Sequence, residues 1–333
     1  MTTTAPNGVR TTKFEVDSPG FRGIPGRGPF ALDDARAYGE WRARKLADHP
    51  TSIEEIIVDV ADPARPSAAE LGALARAVGR CNAAIYRTAP DLDEAASRRA
   101  VSGLARACGL TRFESHRSAG ADGIVAIRVS DEPRQVGFIP YTPRPIGWHT
   151  DGYYAWDGPD RAIDAMVLHC VRPAAEGGVN ALLDPDIAYI RLRDRDPALI
   201  AALMHPAAMS IPPCEEEDGS VRPETVGPVF FMDAASGRIC LRYTARKRHV
   251  AWRDDAVTRA AAAALTEIMV DDPLIFRARL SSGMGVLCNN VLHDRTGFVD
   301  SPGSGEGRLL LRLRSYDRLT LDTANNRGAS WPT

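Results

Sequence analysis

In the stretch Gly147-Trp148-His149-Thr150-Asp151-Gly152 an imidazole and a carboxylate stand two residues apart. In a strand, residues two apart share a face. His149 and Asp151 can therefore aim at one point while Trp148 and Thr150 face away. One more ligand would complete a two-histidine, one-carboxylate face on an octahedral metal, a geometry that leaves open positions and suits non-haem Fe(II). The candidate is His293, which ends a strand-like run in Asn289-Asn290-Val291-Leu292-His293-Asp294-Arg295-Thr296-Gly297-Phe298. A lone H-x-D pair carries little weight, because surface loops contain it by chance.

The segment Arg308-Leu-Leu-Leu-Arg312-Leu-Arg314 adds a third element. Period two places Arg308, Leu310, Arg312 and Arg314 on one face and Leu309, Leu311 and Leu313 on the other. Such a strand can wall an anion pocket, since the planar guanidinium fork suits bidentate capture of a carboxylate. The bland alternative is an edge strand with a solvated basic face. Of 41 basic residues only Lys13, Lys45 and Lys247 are lysine. An arginine in this chain is therefore informative only through its position.

The elements that must position these groups read as follows. Residues 1–30 are polar and rich in turn formers, which suits an extended arm. Residues 31–110 are mostly helical: an exposed helix over 32–46, a short strand at 55–60, then two further helices. Ser67 and Glu70 make a capping box for the helix that ends near Cys81. Asp91 and Asp93 start the next, which runs to about Cys108. After Gly109 short strands dominate, at 124–129, 136–141, 163–171, 179–183, 226–232, 238–243, 274–280, 284–289 and 309–316. Asp-Gly at 122–123, Gly-Gly at 177–178 and Ser-Gly at 236–237 mark turns. Helical insertions fall near 185–204 and 254–270. The expectation is one domain over 1–333, mainly β with helical additions, its core spanning 111–318.

Composition narrows the function. A net charge of -2 argues against nucleic acid. No apolar run reaches the roughly 18 residues of a membrane span. The start MTTTAPNGVRTTKFEV lacks a signal-peptide core, so the expected compartment is cytoplasmic. Six cysteines without a C-x-x-C pair read as free thiols.

In this order, the pieces resemble the Fe(II)- and 2-oxoglutarate-dependent dioxygenases of the taurine dioxygenase (TauD/TfdA) family. WHTDG (148–152) is similar to the family's metal-binding segment. LHDRTGF (292–298) is similar to its distal-histidine segment, with Asp294 where Gly is usual, and RLLLR (308–312) to its terminal arginine strand. Two softer matches are Gly177-Gly178-Val179-Asn180 and the strand pair from Gly227-Pro228-Val229-Phe230 to Leu241, where Gly227 replaces the usual His.

The resemblance implies a double-stranded β-helix (jelly-roll, cupin-like) core. It implies His149, Asp151 and His293 as the Fe(II) ligands, and Arg308 with Asn180 as the anchor of the far carboxylate of 2-oxoglutarate. O2 is the second co-substrate. The implied chemistry couples decarboxylation of 2-oxoglutarate, to succinate and CO2, with oxidation of a substrate C–H bond. Related halogenases lack the carboxylate ligand, so Asp151 favours hydroxylation. Arg312, Tyr153, Tyr154, Arg144, Arg242, Tyr243 and Arg246 are candidates for a small, acidic or amino-acid-like substrate. A homo-oligomer, common in the family, stays open. So do two other functions: a family-shaped binding protein without activity, and a zinc hydrolase on the same ligands. Outside the site, His169 reads as an interior imidazole, and Asp294 with Arg295 as a local ion pair.

Overall fold

The computed structural model describes residues 25–115, 118–132, 135, 138–215, 221–233, 236–246, 250–300 and 307–319. The arm expected over 1–30 lies, apart from 25–30, outside the described residues, as do His116, His249 and most of the loop between Asp300 and Arg308.

Two sheets carry the architecture. The larger is built from β1 (Ile57–Asp59), β2 (Ala83–Arg87), β3 (Ile124–Ile127), β5 (Ala165–Arg172), β8 (Met284–Cys288) and β10 (Leu309–Ser315), in the order β1-β2-β8-β5-β10-β3. The smaller joins β4 (Ile146–His149), β6 (Asn180–Leu183), β7 (Phe276–Ala278) and β9 (Leu292–Arg295) in the order β7-β6-β9-β4. Only β1 and β2 pair in parallel; the other neighbours within these two sheets are antiparallel.

The N-terminal helices are α1 (Ala35–Asp48), α2 (Ala68–Cys81) and α3 (Glu94–Ala107). The capping box is present: the Ser67 side chain accepts from the Glu70 N–H, and Glu70 reaches back to the Ser67 N–H at 2.6 Å. Leu74 and Val78 of α2 and Val101 and Leu104 of α3 pack onto the larger sheet with Leu309, Leu311 and Leu313. Beyond the smaller sheet lie α4 (Pro185–Arg195), α5 (Pro197–Leu203) and α6 (Ala256–Asp271), whose Ile187, Ile200 and Leu265 join Ala181, Leu183 and Leu292 in a second core. Helices thus back each sheet. Between the sheets remains a polar seam, bridged where Arg312 and Arg314 of β10 reach Asp151, just after β4. The fold is the expected β-rich core with helical additions.

Several boundaries differ from the sequence reading. Strand β2 was not expected: its Ala-Ala-Ile-Tyr is a weak strand signal, but α2 ends on Asn82 in the left-handed conformation and turns the chain into the sheet. The helix expected over 185–204 breaks at Asp196-Pro197, because Pro cannot supply the next helical N–H and Asp196 caps α5 instead. The strand expected over 226–232 is two short strands in separate sheets, interrupted at Pro228. At 136–141 the last three residues form a 3-10 turn starting next to Pro140, not a strand.

His169 is an interior imidazole, as expected. Its Nδ1 lies 3.0 Å from the Tyr86 hydroxyl, and burial pushes its pKa down to about 4. The fold holds it neutral, whereas the unfolded chain protonates near the ordinary histidine value. Its contribution is therefore complete above about pH 6.5 and is lost as pH falls towards 4, by up to about 3 kcal/mol. In urea unfolding at pH 7 and pH 4, His169→Gln is expected to lose correspondingly less stability than the wild type. Equal pH slopes would show that the folded protein protonates this imidazole readily.

Candidate metal centre

His149 ends β4, and His293 lies opposite it in β9 as a cross-strand pair, the two rings 4.2 Å apart. Asp151 stands two residues beyond, in the turn. Gly152 next to it has φ +72°, and a Cβ there would lie 2.5 Å from Ile163 Cγ1, so the turn after the carboxylate requires glycine. One ligand atom from each of His149, Asp151 and His293 lies within 4.8 Å of the others.

Each ligand is aimed by a second contact. The Nδ1 of His149 sits 2.9 Å from the Gly147 carbonyl, and that of His293 2.9 Å from the Val291 carbonyl. A carbonyl can only accept, so each ring carries its proton on Nδ1 and presents an unprotonated Nε2. Burial, then the neighbouring His293, pushes the His149 pKa down to about 3, keeping the ring neutral. Asp151 Oδ1 accepts from both Arg312 and Arg314 at 3.1 Å, while its buried Oδ2 has no hydrogen-bond partner. Burial opposes ionisation of this carboxyl, but the two guanidiniums outweigh it and hold the pKa below the ordinary range. Two imidazole nitrogens and one orphaned carboxylate oxygen fit a divalent cation. Among the described residues nothing satisfies that oxygen.

Asn290 is a residue that sequence reasoning missed. Its Oδ1 accepts from the Asp151 N–H at 2.8 Å, and its Nδ2 donates to the Asp151 and Ile163 carbonyls at 3.0 and 2.7 Å. Three residues before His293, it ties the two ligand segments together. Its left-handed backbone, φ +43°, suits asparagine and was the available signal, in the Asn-Asn pair.

A separate recess is lined by Arg308, Asn180, Gly178, Cys170, Arg279 and Leu310. Arg308 is buried, with its guanidinium over the Phe298 ring, and burial lowers its pKa to about 10. Its side chain has no carboxylate within salt-bridge distance among the described residues. The register shift between Leu309 and Leu310 skips Val171 of β5, and Leu310, two residues on from Arg308 along β10, lines the same pocket.

The expected substrate residues divide. The Tyr153 ring meets His149 edge-on at 6.4 Å, and the Tyr154 hydroxyl accepts from Arg314. Arg246 is half-buried and close enough for its charge to act on Tyr153. Arg144 is exposed; its carbonyl accepts from Arg295. Arg242 is buried, donating to the Tyr153 and Met209 carbonyls, and so braces the aromatic loop from behind. Tyr243 needs correction: Thr244, not Tyr243, pairs with His149, so Tyr243 faces the opposite core, its hydroxyl 3.5 Å from Thr266. Asp294 and Arg295 do not pair either. Adjacent strand residues diverge, and they bond to the Ala181 N–H and to the Thr142 and Arg144 carbonyls respectively. At Gly227 a Cβ would lie 2.6 Å from the Trp156 indole, which fills the space a side chain there would take.

The family described as "Taurine catabolism dioxygenase TauD, TfdA family" matches residues 43–314. Among curated proteins, a uridine-5'-phosphate dioxygenase of Streptomyces sp is 30% identical over 182 residues, which are 52% of this chain and 62% of that protein. One of Amycolatopsis sp is 29% identical over 165 residues, 46% and 56% of the two chains. The chain thus spans about three-fifths of the length of these curated relatives. Among solved structures, an asparagine oxygenase in complex with Fe(II), 2S,3S-3-hydroxyasparagine and succinate has TM-score 0.51 at 19% identity, over 74% of this chain and 77% of that one. PvcB of Pseudomonas aeruginosa gives 0.51 at 15% identity, over 78% and 84%. At these identities the structures establish the shared fold.

Alanine at His149, Asp151 or His293, one at a time, is expected to abolish stoichiometric Co(II) binding in anaerobic calorimetric titration while leaving the far-UV circular dichroism unchanged. A variant that still takes up one equivalent tightly would remove its residue from the ligand set.

Proposed function

The chain belongs to the TauD, TfdA dioxygenase family, and from that premise we propose that it is an Fe(II)- and 2-oxoglutarate-dependent oxygenase that hydroxylates a small anionic substrate. His149, Asp151 and His293 hold the iron, and Arg308 with Asn180 anchors 2-oxoglutarate, all within a single domain. The observation that carries this reading is the donor set: two Nε2 atoms freed by carbonyl contacts to Nδ1, and one buried carboxylate oxygen without a partner. When bound, iron, 2-oxoglutarate and O2 supply the oxidation, releasing succinate and CO2 as the substrate C–H bond is oxidised.

The chain's own residues bind and orient. Arg308 offers a desolvated guanidinium lining a polar recess, and such a group favours an anion strongly. Tyr153 and Trp156 wall the space beside Asp151, together with Ile163 and Phe231. Arg242 fixes that wall from behind through the Tyr153 carbonyl. Arg246 follows Thr244 by two residues on the segment that runs beside β4, and adds positive charge near Tyr153.

The sequence relatives act on uridine 5'-phosphate, and this anionic nucleotide is the first substrate to test. The inactive and zinc-hydrolase readings are weaker. The ligand set is intact, no glutamate flanks either ligand segment, and neither reading accounts for the buried Arg308.

Anaerobic addition of Fe(II) and 2-oxoglutarate is expected to give a weak visible metal-to-ligand charge-transfer band. Its absence, with zinc bound instead, would sink the oxygenase reading. In air, uridine 5'-phosphate is expected to stimulate succinate release; asparagine serves as comparison. Stimulation by asparagine alone would reverse the substrate assignment. Arg308→Ala is expected to raise the 2-oxoglutarate concentration at half-saturation about 10–100-fold, the loss of one charged hydrogen-bonding partner. An unchanged requirement would move the anchor elsewhere.

A further inference from the structure

We propose that Arg314 is a positioning residue of the metal centre: it holds Asp151 as a one-oxygen ligand and couples that pose to the aromatic loop through Tyr154. The inference rests on the metal-site reading above and deepens it.

Three contacts carry it. Arg314 is 4% exposed and donates through one terminal nitrogen to Asp151 Oδ1 at 3.1 Å. Through the other it donates to the Tyr154 hydroxyl at 3.1 Å, and it is ion-paired to Glu114 on its far side. The Glu114 N–H donates to the Arg314 carbonyl at 3.0 Å, so Glu114 is itself fixed against β10. The guanidinium is thus clamped from three directions and its planar fork has little freedom to turn.

Arg312 meets the same Oδ1 but differs in kind. It is the more exposed of the two, and its buried Nε has no hydrogen-bond partner among the described residues. Two guanidiniums on Oδ1 leave Oδ2 without a donor among the described residues, while a carboxylate oxygen of Asp151 lies within 4.8 Å of the two histidine nitrogens. Arg314 fixes that arrangement, because among the described residues Arg312 has no second acidic partner to anchor it and Arg314 has Glu114. Lysine could not reproduce the arrangement, since a single ammonium lacks a fork with fixed directions to carboxylate, hydroxyl and carboxylate together.

The test is anaerobic Co(II) titration of the full chain, reading affinity and the visible ligand-field spectrum without turnover. Arg314→Gln is expected to weaken Co(II) about 10–100-fold, the usual effect of losing a partner that orients a ligand, and to change the spectrum as Asp151 rotates. Arg314→Lys, which keeps charge without the fork, is expected to recover less than half of the loss on a logarithmic scale. If R314Q binds with wild-type affinity and spectrum, the proposal is overturned. If R314Q does not fold, Tyr154→Phe and Glu114→Gln decide, since each removes one anchor of an intact Arg314 and is expected to shift the spectrum. Wild-type spectra in both would make Arg314 a purely structural residue. Failure of the wild-type chain to bind Co(II) would instead refute the metal site itself.

Discussion

One ionised carboxylate between two sheets sets the terms for the rest of this structure. Asp151 is buried, and a buried charge without compensation costs several kcal/mol. The compensation comes from β10, whose Arg312 and Arg314 cross the seam to the same oxygen. That contact holds the two sheets in register around the site. Because both arginines take Oδ1, Oδ2 is left without a donor among the described residues. A fold shaped only for stability would satisfy both oxygens. An unpartnered carboxylate oxygen beside two imidazoles suits a divalent cation.

The strand that supplies the arginines also supplies core. Leu309, Leu311 and Leu313 pack against the α2 and α3 side, while Arg312 and Arg314 point into the seam. Shifting β10 by one residue would exchange leucine and arginine on both faces, burying unpaired charge in one core and leaving Asp151 uncompensated. The register of β10 is therefore fixed by chemistry from two sides. The same logic places Asn290: it takes over the backbone hydrogen bonds of Asp151 once β4 has ended, where no sheet neighbour could provide them.

The ligand set was legible from the sequence because period-two spacing and a strand-terminal histidine have direct geometric meaning. The capping box of α2 was legible because its spacing is local, whereas Arg308 and Asn180, which line one pocket, were paired only through the family resemblance. What escaped needs contacts across the chain. Glu114 and Asn290 acquire roles only when β10 and the turn after β4 meet them, 200 and 139 residues away in sequence. Tyr243 was misplaced because alternation was known but its phase was not: the bridge between Thr244 and His149 decides it. Strand β2 escaped because tertiary burial, not propensity, makes an Ala-rich segment a central strand.

The charges around the centre say what kind of co-substrate it can accept. Asp151 and Glu114 formally offset Arg312 and Arg314, and the half-buried His149 stays neutral. A divalent cation thus enters with its charge essentially uncompensated by its ligands. Arg308 adds a further positive charge in the adjoining pocket, where burial has already stripped it of solvent. Arginine cannot relieve this by losing its proton at neutral pH, as a lysine could. That surplus of positive charge favours an anionic co-substrate. Under the proposed role of Arg308, a dianion would meet both charges where a monoanion would leave one of them unpaired in a low-dielectric interior.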